Sequence, residues 1–131
     1  MINFRRYIDI PYKYKGRDFN GVDCYGLLFL IYKEELGIIL PDFIYDVNWY
    51  KENENHILNN IGTINGTFWD KVDPPYKLFN AIVIFLASRK IANHIGLYIG
   101  NNKMIHVYEG SKVMTDSIDN YRIYSGIRYR G

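Results

Sequence analysis

The sequence predicts an α+β fold, with helices in the first half packed on an antiparallel sheet made by the second. Three observations carry this. Leu27, Leu28, Leu30 and Ile31 supply a broad apolar helical face behind Asp23, a favoured N-cap. Breakers, among them Gly66, Asp73, Pro74 and Pro75, divide the chain between residues 62 and 75. After Tyr76 the apolar runs become short, β-branched or aromatic, and bounded by Gly, Asn, Ser or Asp. Helices followed by strands is an α+β order, not an alternating βαβ one. At 131 residues the expectation is one domain, 1–131.

Residues 2–9 read as a short helix with Phe4, Tyr7 and Ile8 on one side, stopped at Pro11. Residues 11–21 read as an extended loop bearing Tyr12 and Tyr14. A helix then runs from Cys24 to about Leu36, with Gly37 as its C′ residue and Pro41 beyond. Val47, Tyr50, Ile57, Leu58 and Ile61 suggest a second, Asn-rich helix over 46–61, with His56 on its surface. Residues 62–75 read as loop. The expected sheet has about five strands, at 81–87, 94–100, 103–108, 113–115 and 122–130.

Composition narrows the function classes. Aromatic residues make up 17% of the chain, 13 of them Tyr, which suits β-rich packing and wet binding surfaces. A net charge of +2 leaves little electrostatic footprint for nucleic acid. The alternating Arg and Tyr of Tyr121-Arg122-Ile123-Tyr124 and Ile127-Arg128-Tyr129-Arg130 read more simply as an edge strand with a charged face. A single cysteine excludes an internal disulfide and a cysteine-based zinc site. The longest apolar run, 81–87, is far below membrane-spanning length. The N-terminus Met1-Ile2-Asn3-Phe4-Arg5-Arg6 lacks the apolar core of a signal peptide. A soluble protein without a standard secretion signal, and without cofactor or metal, is expected.

The chemistry centres on Asn20-Gly21-Val22-Asp23-Cys24-Tyr25-Gly26-Leu27-Leu28. Asp23 as N-cap puts the Cys24 sulfur in the first turn of a helix. Unpaired N–H groups and the positive end of the helix dipole stabilise an anion there, which predicts a lowered thiol pKa and a nucleophilic cysteine.

Two histidines extend the set. In His94–Gly100 the apolar Ile95, Leu97 and Ile99 alternate with His94, Gly96 and Tyr98. In the next strand Ile105 and Val107 alternate with Met104, His106 and Tyr108. A two-residue Asn101-Asn102 turn with regular pairing would set Ile105 against Tyr98, on the wrong face. A three-residue connection pairs Ile99 with Lys103 and Leu97 with Ile105, and all apolar positions then share one face. That register sets His106 diagonal to His94, roughly 7–8 Å away between Cα atoms, with Gly96 leaving room between the rings. A thiol needs a base near neutral pH, and the base needs a partner to hold its tautomer. Cys24, His94 and His106 would be nucleophile, base and orienter. No carboxylate stands at metal-ligand spacing near the histidines.

With these pieces in place the chain resembles the NlpC/p60 superfamily of papain-like cell-wall cysteine peptidases. The matching residues are Tyr12, Gly16 and Asp23-Cys24-Tyr25-Gly26-Leu27, then His94-Ile95-Gly96-Leu97-Tyr98-Ile99-Gly100, then Met104-Ile105-His106. The resemblance implies a papain-like fold, Cys24 as nucleophile, His94 as base and His106 as third residue. It further implies a Tyr12 hydroxyl near the oxyanion hole and Asp23 receiving the substrate's amino end. Three departures stand out. Tyr25 replaces the usual serine, Phe79-Asn80 replaces a Gly-Asp pair, and Gly16 stands alone where two glycines are common.

Tyr25, the helix and Gly37-Ile38-Ile39-Leu40-Pro41-Asp42 look most like the bacteriophage tail-assembly branch. That branch implies an endopeptidase of peptidoglycan stem peptides in the virion tail tip. It would be made in the host cytoplasm, act at the host cell wall and be partnered by other tail proteins. The competing expectation is a structural tail component with a weak or silent site.

Overall fold

The computed structural model describes residues 2–42, 68–85 and 94–131. The helix expected over 46–61, with His56, lies outside the described residues, as do the start of the 62–75 loop and the end of the 81–87 strand.

The chain opens with one 3₁₀ turn, Phe4–Tyr7, shorter than the helix expected over 2–9. The Asn3 side chain caps it, and Asp9 at φ 70° ends any helical path before Pro11. The stretch 11–21 is more ordered than a loop. Strands β1 (Arg17–Asp18) and β2 (Gly21–Val22) pair as a small antiparallel hairpin, and Tyr12 bridges Val22 in parallel.

Helix α1 (Cys24–Ile31) starts where expected, with Asp23 Oδ1 accepting the Gly26 N–H at 2.7 Å. Every residue of α1 except Phe29 is buried, so this helix is enclosed rather than amphipathic. It continues as a wider π turn, Tyr32–Leu36, and stops at Gly37, whose φ of 66° is the left-handed conformation glycine adopts without cost. The Gly37 N–H donates to the Lys33 carbonyl and the Ile38 N–H to that of Tyr32, closing the helix end.

Among the described residues the second half forms a six-stranded antiparallel sheet. Its strands are β3 (Trp69–Val72), β4 (Ala81–Phe85), β5 (His94–Gly100), β6 (Lys103–His106), β7 (Met114–Ser117) and β8 (Arg122–Tyr129), in the spatial order β3-β8-β4-β5-β6-β7. The α+β expectation holds, with one strand more than expected. Strand β3 falls in the stretch expected as loop. It is an edge strand paired only with β8, and of its four residues only Trp69 is buried, so it carries almost no alternation.

Both faces of the sheet are packed. Ala81, Val83, Ile95, Leu97, Ile105, Val107 and Ile127 join the α1 side chains in the main core. Ile82, Ile84, Met104 and Ile118 form a smaller cluster, covered by Tyr76, Tyr98, Tyr121 and Ile123. Leu97 faces Ile105 across β5 and β6, as the alternation requires. The expected pairing of Ile99 with Lys103 is corrected. Gly100 pairs with Lys103, Asn101 and Asn102 form a two-residue turn at φ 52° and 62°, and a bulge falls between Tyr98 and Gly100. A tight turn with both central residues at positive φ suits asparagine, and the bulge absorbs the one residue that would have flipped the faces.

Candidate active site

The site is assembled from the start of α1, the loop before it and the strands β5, β6 and β7. Cys24 is 4% exposed and sits in the first helical turn. Its sulfur is contacted by the backbone N–H groups of Tyr25 and of Ile95, the residue after His94. The lowered thiol pKa expected from the helix terminus is corrected. Burial, then the charge of Asp23, push the Cys24 thiol up, and the two amides and Arg17 only partly oppose them. The resting sulfur is a thiol.

His94 and His106 meet as the strand register implies. His94 Nε2 lies 2.9 Å from His106 Nδ1, with the rings nearly edge-on at a centroid distance of 5.1 Å. Both are buried, at 2% and 0% exposure. Gly96 provides the room, since a Cβ there would stand 2.9 Å from the Met104 sulfur and 3.2 Å from the His106 Cβ. Burial, then the neighbouring His106, lower the pKa of His94. Burial also lowers that of His106, against an opposing pull from Asp116. The pair is therefore neutral near pH 7.

His94 opens β5, paired across the sheet with Ile84. The sulfur meets the strand at the Ile95 amide. Among the described residues no hydrogen bond joins it to the His94 ring.

A carboxylate that sequence reasoning missed stands behind the histidines. Asp116 Oδ2 is 3.7 Å from His106 Nε2, too long for a hydrogen bond but within ion-pair reach. Asp116 is itself held, Oδ2 accepting from the Tyr121 hydroxyl at 2.5 Å and Oδ1 from Asn120 Nδ2 at 2.7 Å. The Tyr121 hydrogen bond comes first among the causes that hold the Asp116 carboxyl below its usual range. Because a carboxylate only accepts, it selects the His106 tautomer protonated at Nε2. His106 Nδ1 must then accept from His94 Nε2–H, which leaves His94 Nδ1 with a free lone pair. No spacing in the sequence marks Asp116; the pairing of β6 with β7, which sets His106 against Met114 and Met104 against Asp116, brings it to the histidines.

The remaining predicted residues surround the cysteine. The Tyr12 phenol is raised by burial, then by the nearby Cys24 and Asp23, and so remains a donor. Tyr12 also lines an open groove of about 520 Å³ with Asp9, Pro11, Ser111, Lys112 and Met114. Asp23 is 1% exposed and fully engaged. Beyond the cap it accepts from the Lys15 N–H at 2.9 Å and from Arg17 Nη1 at 3.0 Å. Tyr25 is 4% exposed, and its hydroxyl donates to the Pro41 carbonyl.

A buried thiol at a helix start, set against a sheet that carries paired imidazoles, defines a papain-like α+β protein. Residues 9–127 match the model of the NlpC/P60 family, and the chain belongs to that family. A relative named "Probable endopeptidase NlpC", from Escherichia coli (strain K12), is 29% identical over 111 residues, 84% of this chain and 60% of the relative. "Murein DD-endopeptidase MepS/Murein LD-carboxypeptidase", from the same strain, is 24% identical over 110 residues, 84% of this chain and 48% of the relative. The chain thus spans about half to three-fifths of the curated relatives it matches.

Two solved structures share the fold. The NlpC/p60 domain of the peptidoglycan hydrolase SagA has a TM-score of 0.64 at 18% identity, over 95% of this chain and 91% of that one. NlpC2 from Trichomonas vaginalis has a TM-score of 0.64 at 19% identity, over 97% of this chain and 44% of that one.

Proposed function

We propose that this chain is a cysteine endopeptidase of peptidoglycan stem peptides, with Cys24 as nucleophile, His94 as base and His106 as its orienter. The observation that carries the reading is the 2.9 Å contact between His94 Nε2 and His106 Nδ1 in a family whose relatives are named endopeptidases. With the thiol raised and the imidazole lowered, the resting pair is neutral. Catalysis then proceeds by general base rather than from a standing ion pair.

In the acylation step the Cys24 sulfur attacks the peptide carbonyl carbon and its proton passes to His94 Nδ1. The oxyanion is received by the Cys24 N–H, which has no intrahelical partner, and by the Tyr12 hydroxyl. His94 then gives the proton to the leaving amine as the C–N bond breaks, leaving a thioester. Water, deprotonated by His94, attacks the thioester carbonyl, the C–S bond breaks as His94 returns the proton to the sulfur, and the carboxylic acid is released. His106 and Asp116 hold the His94 tautomer throughout.

The same proposal extends to setting. The family resemblance points to cleavage between γ-D-glutamyl and a diamino acid, in the tail tip of a bacteriophage, by a single domain spanning 1–131 in company with other tail proteins. Tyr25 and the Gly37-to-Asp42 stretch support that branch, and the bond from the Tyr25 hydroxyl to the Pro41 carbonyl makes them one contact. A second reading, a structural tail protein with a silent site, is favoured by the burial of Cys24 and its missing bond to His94.

The deciding experiment incubates the protein with defined peptidoglycan fragments and identifies products by mass. Cleavage at the γ-D-glutamyl bond, absent in Cys24→Ala, is expected. No cleavage by the wild type, alone or with tail proteins, would establish the structural reading.

A further inference from the structure

We propose that Arg17 is a specificity-determining residue that withdraws the Asp23 carboxylate from substrate binding. The site then takes stem peptides with an amide-capped amino end as readily as those with a free ammonium. This rests on the peptidase reading above.

A carboxylate one residue before the nucleophile is the group a substrate ammonium near the scissile bond would seek. Asp23 is not open to one. Its Oδ1 accepts from the Gly26 N–H and from Arg17 Nη1, its Oδ2 accepts from the Lys15 N–H, and the side chain is 1% exposed. Replacing any of these donors by a ligand would strand a buried polar group, which desolvation penalises.

Both terminal nitrogens of the guanidinium are committed as well. Arg17 Nη1 also donates to the Gly16 carbonyl at 3.0 Å, and Nη2 donates to Asp42 Oδ1 at 2.9 Å. Its central carbon lies 5.6 Å from the ring centroids of both Tyr25 and Phe29. At 15% side-chain exposure it is wedged between the loop and the helix. Asp42 is 55% exposed, so water screens the charge that it retains.

The chemistry presented beside Cys24 on this side is therefore a neutralised ion pair. A free ammonium gains nothing there, and an amide-capped end loses nothing. The amide-capped form is the one a stem peptide has while still joined to glycan.

The test compares L-Ala-γ-D-Glu-L-Lys-D-Ala with its N-acetyl form. For the wild type, kcat/KM for the two is expected to agree within about threefold, and a free-amine preference of about tenfold or more overturns the proposal. Arg17→Gly and Arg17→Gln should shift the ratio toward the free amine by about tenfold. An unchanged ratio in either folded variant also overturns it, and if neither folds the wild-type ratio decides. Calorimetric binding to Cys24→Ala separates the two readings. Equal binding without wild-type cleavage leaves this proposal standing and removes the peptidase. Tighter binding of the free amine removes this proposal, and no binding of either peptide removes both.

Discussion

Asp116 Oδ2 lies 3.7 Å from His106 Nε2, and the charge of that carboxylate favours a proton on the ring nitrogen that faces it. Asp116→Ala should lower kcat by about tenfold, the scale of one lost charge-assisted contact of about 1.4 kcal/mol. Asp116→Asn should recover part of it, because its amide oxygen still turns partial negative charge toward His106 Nε2–H. The check is kcat and KM for both variants across pH, with KM expected to hold. Equal loss in the two variants would mean that charge, not tautomer, is what Asp116 supplies.

The buried histidines predict acid sensitivity. The pKa of His94 falls from its usual 6.5 to about 3 in the fold, chiefly through burial. Between those values the unfolded chain binds a proton that the native one refuses, so stability drops as pH falls below about 6.5. From pH 6.5 to 5 this single residue costs about 2 kcal/mol. Urea midpoints at the two pH values should differ accordingly, and His94→Gln should flatten the difference.

Cys24 should be a slow target. With its thiol raised by burial and by Asp23, iodoacetamide labelling of the native protein at pH 7 should run at least about tenfold slower than in denaturant. The rate should climb with pH well beyond the normal thiol range. Rapid labelling at pH 7, read by intact mass, would show that the helix terminus wins over burial.

Gly26→Ala should destabilise the fold despite gaining helix propensity worth about 1 kcal/mol. A Cβ at Gly26 would stand 1.9 Å from the Gly16 carbonyl oxygen, 2.7 Å from Arg17 Nη1 and 2.9 Å from Asp23 Oδ1. Overpacking against backbone on this scale costs about 1–3 kcal/mol and should prevail. A Tm drop of about 5 °C or more is expected by calorimetry, with larger loss of activity than stability alone explains.

Features that depend on neighbours along the chain are legible in the residues alone. Asp23 caps α1, Gly37 ends the helical run that follows it, and the alternation of β5 and β6 brings Leu97 to Ile105 and thereby His94 to His106. Caps, stops and a period of two are short-range rules, and a buried face penalises any slip of register. The NlpC/P60 motifs are legible for the same reason.

The remaining features arise from contacts between elements far apart along the chain. Asp116 reaches His106 because β7 lies beside β6, although no spacing in the sequence marks it. Arg17 reaches Asp23 and Asp42 because the β1–β2 hairpin folds back over the start of α1. Among the described residues strand β3 pairs only with β8, from the far end of the chain. The Cys24 thiol follows the same logic. A helix N-terminus is a local property and favours the thiolate, but desolvation sums over everything packed around the sulfur, and in this fold the sum is larger.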